Sequence, residues 1–178
     1  RLAALVQPSL RPVVNATGVV LHTNLGRALL GPSGVAALVQ GGTRYMNLEY
    51  DLGAGERTSR QVHVGDLLRR LVGAEAACVV NNNAAALLLA GDTLGKAGVV
   101  VSRGEQVEIG DSFRLPEILK KSGVPIHEVG TTNRTLPQDY EPAARVPGCV
   151  LLKVHRSNFS QHGFTRDTSV AELAEVAR

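Results

Sequence analysis

"NNNAAALLLAGDTLGKAGVVVS", residues 81–102, carries the pattern that decides the fold. An asparagine-rich junction gives way to helix-forming alanine and leucine from about Ala84 to Leu94, Gly95 stops the helix, and "GVVVS" at 98–102 is a short strand without polar alternation. A strand apolar on both sides needs cover on both sides. The unit repeats in either direction. Upstream, "AACVV" (76–80) reads as a strand. Before it come Val64, Leu67, Leu68 and Leu71 at amphipathic-helix spacing, with Thr58 and Gln61 placed as a capping box and Gly73 as the stop. Downstream, Pro116 suits the first turn of a helix near 115–122, "PIHEV" (125–129) reads as a strand, and Pro137 opens a further helix. "CVLLKVH" (149–155) is the strongest strand, and Ser169 with Glu172 forms a second capping box for a final helix. Apolar strands alternating with helices predict an α/β domain over residues 58–178, three layers α/β/α around a mainly parallel sheet. Residues 1–57, rich in Gly, Asn and Arg with little periodicity, predict an irregular segment packed on that core and carrying side chains to a site.

Composition narrows the class. The chain has 178 residues, 44% hydrophobic and 20% charged, which is the balance of a folded globular protein rather than a disordered one. Its net charge of +3 selects neither for nor against nucleic acid. Only Lys96, Lys120, Lys121 and Lys153 are lysines; the arginine excess fits either anion recognition or GC-rich coding, and both readings stay open. Cys78 and Cys149 lie in separate apolar runs without CxxC spacing, so neither a disulfide framework nor a zinc site is expected, and a reducing compartment is. No apolar run reaches membrane-spanning length. Because the chain opens on Arg1 and closes on Arg178 inside a helical pattern, it is expected to be an internal piece of a longer polypeptide.

In open parallel sheets, ligands collect outside the carboxyl ends of the strands. The polar clusters of this chain follow its expected strands: "NNNAA" (81–85), "RGEQVEIGDSFR" (103–114), "GTTNR" (130–134) and "RSNFSQHGF" (156–164). Backbone N–H groups at a helix start after Asn83 suit a phosphate, with asparagine amides as further donors and Ala84 and Ala85 allowing close approach. The alternative is that Asn83 caps the helix and its neighbours fill a turn. Neither GxGxxG nor GxxxxGK[ST] occurs, and His22, His63, His127, His155 and His162 show no metal-ligand spacing. Lys153, in an apolar strand two positions before His155, is a Schiff-base candidate or one half of an ion pair.

Six blocks in order, "NATGVVLHTNLGRALL", "NLEYDLGAGERTSR", "GAEAACVVNNNAAALLL", "VVVSRGEQVEIGDSFRLPEIL", "HEVGTTNRT" and "LLKVHRSNF", resemble the bacterial selenocysteine synthases, the L-seryl-tRNA(Sec) selenium transferases. The resemblance runs from about Leu10 to the end. It implies part of the large domain of a fold-type I pyridoxal-phosphate transferase, cytoplasmic, converting L-seryl-tRNA(Sec) to selenocysteinyl-tRNA(Sec) with selenophosphate by way of an aminoacrylyl intermediate. It further implies a homo-oligomer, a decamer arranged as a pentamer of dimers. By this resemblance Asn81, Asn82, Asn83, Ala84 and Ala85 cup the cofactor phosphate. Glu105 and Glu108 lie in the loop over the pyridine face, and Asn158, with His155 and Ser157, meets the ring hydroxyl. Arg27, with Asn24 beside it, grips the anionic selenium donor, while Arg57 and Arg60 reach a neighbouring subunit's cofactor phosphate or serve as surface ion-pair partners.

Three positions depart from the family's usual residues: Thr58 and Asp111 stand where glycine is usual, and Arg156 where threonine is usual. A carboxylate at Asp111 near a phosphate site would repel anions. The family's Schiff-base lysine lies in a later block, expected beyond Arg178, so these residues by themselves are expected to be inactive. Only "RLAALVQPSL" (1–10) could belong to the family's tRNA-binding domain. Two other readings compete: a pyridoxal-phosphate lyase acting on an amino-sugar acid phosphate, and a non-catalytic α/β module that binds an anion or a partner chain.

Overall fold

A computed structural model describes residues 8–110 and 113–178. Two compact units divide it, Arg1–Asp66 and Leu67–Arg178.

Within the first unit, a 3-10 turn at Thr23–Leu25 precedes helix α1, Pro32–Thr43. The sequence reading expects no helix here. Pro32 at the first helical position and the run of Ala, Val and Leu build one, while Gly34, Gly41 and Gly42 blur its periodicity. Strands β1 (Tyr50–Asp51) and β2 (Glu56–Arg57) pair antiparallel as a hairpin. Its tip is held by Asp51 Oδ1, which accepts from the Gly53 and Ala54 N–H groups at 2.8 and 3.0 Å. Those two bonds favour the carboxylate and hold Asp51 below its ordinary pKa. None of the described residues of this unit is buried.

The capping residue ahead of the next helix is Ser59 rather than Thr58: its hydroxyl accepts from Gln61 N–H and caps a 3-10 turn, Arg60–His63. Helix α2, Gly65–Val72, follows and ends at Gly73, which has φ +69°.

The second unit is built on a parallel sheet. Strand β3 (Gly98–Ser102) is fully buried and lies between β6 (Ile126–Val129) and β7 (Cys149–Leu152), both parallel to it. A small antiparallel pair, β4 (Glu108–Ile109) and β5 (Phe113–Arg114), stands apart from that sheet. Alternation on β3 sends Val99 and Val101 to one face, where they pack with Leu115 and Leu119 of helix α4 (Leu115–Lys121) and with Leu87 of helix α3 (Asn83–Leu94). Val100 faces the other way, against Tyr140 of helix α5 (Pro137–Ala144) and Leu173 of helix α6 (Val170–Val176). Helices therefore cover both faces, as the apolar strands require. α3 and α4 approach closely at Gly91, where an added Cβ would come within 2.8 Å of Ser122 Oγ. The capping box predicted for the last helix is present: Ser169 Oγ accepts from Glu172 N–H at 3.2 Å, and Glu172 Oε2 accepts from Ser169 N–H at 2.7 Å.

Two sequence expectations need correction. Residues 76–80 form no strand, and the parallel sheet consists of β6, β3 and β7 among the described residues. The β7 ladder also stops at Leu152, so Lys153 and His155 lie past the strand rather than on it.

Candidate functional site

The order β6-β3-β7 creates a switch point. The helix after β3 covers one face of the sheet and the helix after β7 covers the other, so the chain leaves the carboxyl ends of these two neighbours toward opposite faces. Three segments meet this edge of the sheet.

The first is the start of α3. A connection of three residues, 95–97, separates α3 from β3, so the helix runs back along the strand and begins at the carboxyl edge. Its cap is Asn82 rather than Asn83: the Asn82 side-chain oxygen accepts from Ala85 N–H at 2.9 Å. The Ala86 N–H is taken by the Asn82 carbonyl at 3.1 Å. That leaves the N–H groups of Asn83 and Ala84 without a protein acceptor among the described residues. Asn81, Asn82 and Asn83 are all exposed, and Ala84 and Ala85 are half-buried. The two readings of this junction coexist: one asparagine is a cap, and free N–H groups at the positive end of the helix dipole remain.

The second segment is the 3-10 turn Arg103–Glu105 that leaves β3. Glu105 is 2% exposed. Its Oε1 accepts from Lys153 Nζ, and its Oε2 accepts from the Val154 N–H at 2.9 Å. Of the two fates considered for Lys153, the structure has the ion pair. Glu108, by contrast, is exposed and takes the Arg114 Nε–H at 2.8 Å across the β4–β5 pair. Glu105 and Glu108 are thus turned to different partners. On the neighbouring strand Glu128 is held below its ordinary pKa, first by a hydrogen bond from Gln106 and then by Arg103.

The third segment is the turn at 155–158. Ser157 is a non-glycine residue at φ +63°, an uncommon left-handed backbone state. Its N–H donates to His155 Nδ1 at 3.0 Å, and the Asn158 N–H donates to the Arg156 carbonyl at 2.7 Å. Accepting at Nδ1 leaves the neutral imidazole its proton on Nε2. Arg156, the departure at this turn, pairs with Asp167 at 2.5 Å. His155, Ser157 and Asn158 thus share one short turn and stand exposed.

The four candidates of the first unit fall into two pairs. Arg27 also has φ +63°, and its N–H donates to the His22 carbonyl at 3.1 Å; Asn24 N–H donates to His22 Nδ1 at 3.2 Å. One histidine thus organises the turn that carries both. Arg57 and Arg60 converge on Glu49, Arg57 Nη2 at 3.3 Å and Arg60 Nε at 2.9 Å. The Arg60 hydrogen bond is the main reason that the Glu49 carboxyl sits below its ordinary pKa. Thr58 donates its N–H to the Glu49 carbonyl at 3.0 Å. Asp111 and residues 1–7 lie outside the described residues. Sequence reasoning missed Glu49, Asp167 and the partnership of Glu105 with Lys153, which pairs residues far apart in the chain and leaves no periodic signal.

Among the described residues no cluster of metal-ligating side chains forms, and no helix is long and apolar enough to cross a membrane. A mixed α/β protein with a parallel sheet is defined, its polar residues drawn to the carboxyl edge of the strands. The profile of one family, L-seryl-tRNA selenium transferase (SelA), matches residues 13–178, and the chain belongs to that family. It is 56% identical over 177 residues to the L-seryl-tRNA(Sec) selenium transferase of Solidesulfovibrio magneticus, covering 99% of this chain and 38% of that protein. It is 57% identical over 171 residues to the transferase of Moorella thermoacetica, covering 96% and 36%. The enzyme of Nautilia profundicola is 48% identical over 178 residues, covering 99% and 40%. The chain thus spans roughly two fifths or less of the length of these relatives.

Proposed function

We propose that this chain is the cofactor-binding part of an L-seryl-tRNA(Sec) selenium transferase, a cytoplasmic enzyme that uses pyridoxal 5'-phosphate and selenophosphate to form selenocysteinyl-tRNA(Sec). The observation that carries the proposal is identity of 56% over 99% of the chain to a relative of that name.

The residues at the carboxyl edge suit the cofactor. A helix start with small side chains at Ala84 and Ala85, and with the Asn83 and Ala84 N–H groups lacking a protein acceptor among the described residues, fits a phosphate. Asn81, Asn82 and Asn83 would surround it, and His155, Ser157 and Asn158 would meet the ring. Once bound, pyridoxal 5'-phosphate supplies an electron sink for loss of the seryl α-proton and β-hydroxyl. The chain's own part is positioning: the α3 start holds the anionic tail, and the left-handed turn at Ser157 presents polar groups to the ring. Arg27 and Asn24 would take the anionic selenium donor, and Arg57 with Arg60, set by Glu49, a phosphate contributed at a subunit boundary of a decameric assembly.

The test is the whole encoded polypeptide, mixed with seryl-tRNA(Sec) and selenophosphate. Formation of selenocysteinyl-tRNA(Sec), dependent on added pyridoxal 5'-phosphate, is expected. A polypeptide that binds no pyridoxal 5'-phosphate, or that leaves the seryl group unchanged, rejects the reading.

A further inference from the structure

We propose that Glu105 acts as a positioning residue, a buried clasp that sets where the 155–158 turn stands relative to the α3 start, and that it does so without touching the cofactor. The proposal rests on the functional reading above.

Both carboxylate oxygens of Glu105 are spent inside the protein, one on Lys153 Nζ and one on the Val154 N–H. Those two residues are the link between the last residue of β7, Leu152, and the turn that begins at His155. Glu105 itself ends the 3-10 turn leaving β3. The clasp therefore spans the switch point, tying the exit of one strand to the exit of its neighbour. Within that turn Arg156 is tied to Asp167, while His155, Ser157 and Asn158 are exposed and Ser157 is held at φ +63°. A residue kept in that conformation needs its surroundings to specify it. The Glu105 side also has little play. An added Cβ at Gly104 would lie 2.5 Å from the Thr132 carbonyl oxygen, so the 3-10 turn is wedged against the loop after β6.

The geometry separates two halves of one ligand. The phosphate half is served by the α3 start, which shares no hydrogen bond with Glu105. The ring half is served by the steered turn. Losing the clasp is therefore expected to weaken the whole cofactor and to spare a bare phosphate. A role limited to stability would affect both ligands alike.

In the whole encoded polypeptide, Glu105→Gln leaves an amide facing the Lys153 ammonium. Pyridoxal 5'-phosphate affinity, measured by calorimetric titration of the cofactor-free protein, is expected to fall roughly tenfold, the scale seen when an outer partner of a binding group is lost. Inorganic phosphate affinity is expected to stay within about twofold because the helix-start donors are untouched. The double variant Glu105→Gln with Lys153→Met removes the orphaned charge and keeps an acceptor for Val154 N–H, so it is expected to recover most of the cofactor affinity. Unchanged cofactor affinity in Glu105→Gln overturns the clasp, and so does equal loss of cofactor and phosphate. Should Glu105→Gln not fold, the double variant decides: cofactor affinity roughly tenfold or more below that of the wild type overturns the proposal. A wild-type polypeptide that binds no pyridoxal 5'-phosphate removes the functional reading and the clasp together, a result distinct from wild-type binding with an unchanged variant.

Discussion

Ser102 and Thr135 share a buried hydrogen bond of 2.7 Å between their hydroxyl oxygens, joining the end of β3 to the loop after β6. Ser102 Oγ also accepts from the Gly104 N–H at 3.2 Å, and the Thr135 carbonyl accepts from the Thr168 hydroxyl at 2.9 Å. The group fixes the carboxyl edge of the sheet with polar contacts rather than apolar packing. Replacing Ser102 by alanine strands the Thr135 hydroxyl and the Gly104 N–H, and is expected to cost about 1–3 kcal/mol in denaturant unfolding. Adding Thr135→Val to Ser102→Ala is expected to cost less than the sum of the single changes, because the two share one interaction.

Asn82 separates capping from anion binding. Asn82→Ala removes the acceptor for Ala85 N–H and should lower stability by about 1 kcal/mol. Asn82→Asp keeps a good cap and improves the fit to the helix dipole, so stability is expected to hold. The added carboxylate would nonetheless repel a phosphate at the same helix start. Titration with pyridoxal 5'-phosphate should show clear weakening in Asn82→Asp. Equal affinity in the two proteins would mean that the start of α3 is only a cap.

Gly104→Ala tests the wedge beside Glu105. The new methyl would meet the Thr132 carbonyl oxygen at 2.5 Å, a contact that backbone can relieve only by shifting. A loss of about 1–3 kcal/mol is expected in chemical denaturation, typical of overpacking. Alanine at exposed Gly41, in α1, meets nothing within 4 Å and serves as the control.

Acid should loosen the last helix by a defined route. The Ser169 N–H, the Ser169 hydroxyl and Arg166 hold the Glu172 carboxyl down to about 2 from an ordinary 4.5. A folded-state value below the unfolded one adds stability that is complete above the unfolded pKa and disappears as pH falls through the folded one. Hydrogen exchange of α6 amides should therefore quicken as pH drops from about 4.5 toward 2, after correction for the intrinsic rate. Glu172→Gln is expected to flatten that dependence, and an unchanged profile would argue against this origin.

Local chemistry made much of the architecture legible. The apolar run at 98–102, the prolines at 116 and 137, and the Ser169–Glu172 capping box mark elements through contacts within a few residues, and each element is present. Residues 76–80 have equally apolar composition yet form no strand, because pairing is a property of tertiary neighbours that composition does not contain. α1 was hidden because its glycines dilute the pattern. At the candidate site, the partners of Glu105 and Arg156 depend on loops at the carboxyl edge of the sheet, and Arg57 meets Glu49 across the β1–β2 hairpin, none of which composition displays.

The placement of β3 bears on how the protein can be made. Synthesis delivers the central strand first, yet both strands that flank it emerge later, β6 and then β7. A parallel partner cannot be supplied by a tight reversal of the chain, so Val99, Val100 and Val101 must wait for β6 and β7 to gain the partners they have in this sheet. Until Leu152 has emerged, one edge of β3 lacks the neighbour it will have in the finished sheet, and Leu87 of α3, made earlier, already offers apolar cover to Val99 and Val101.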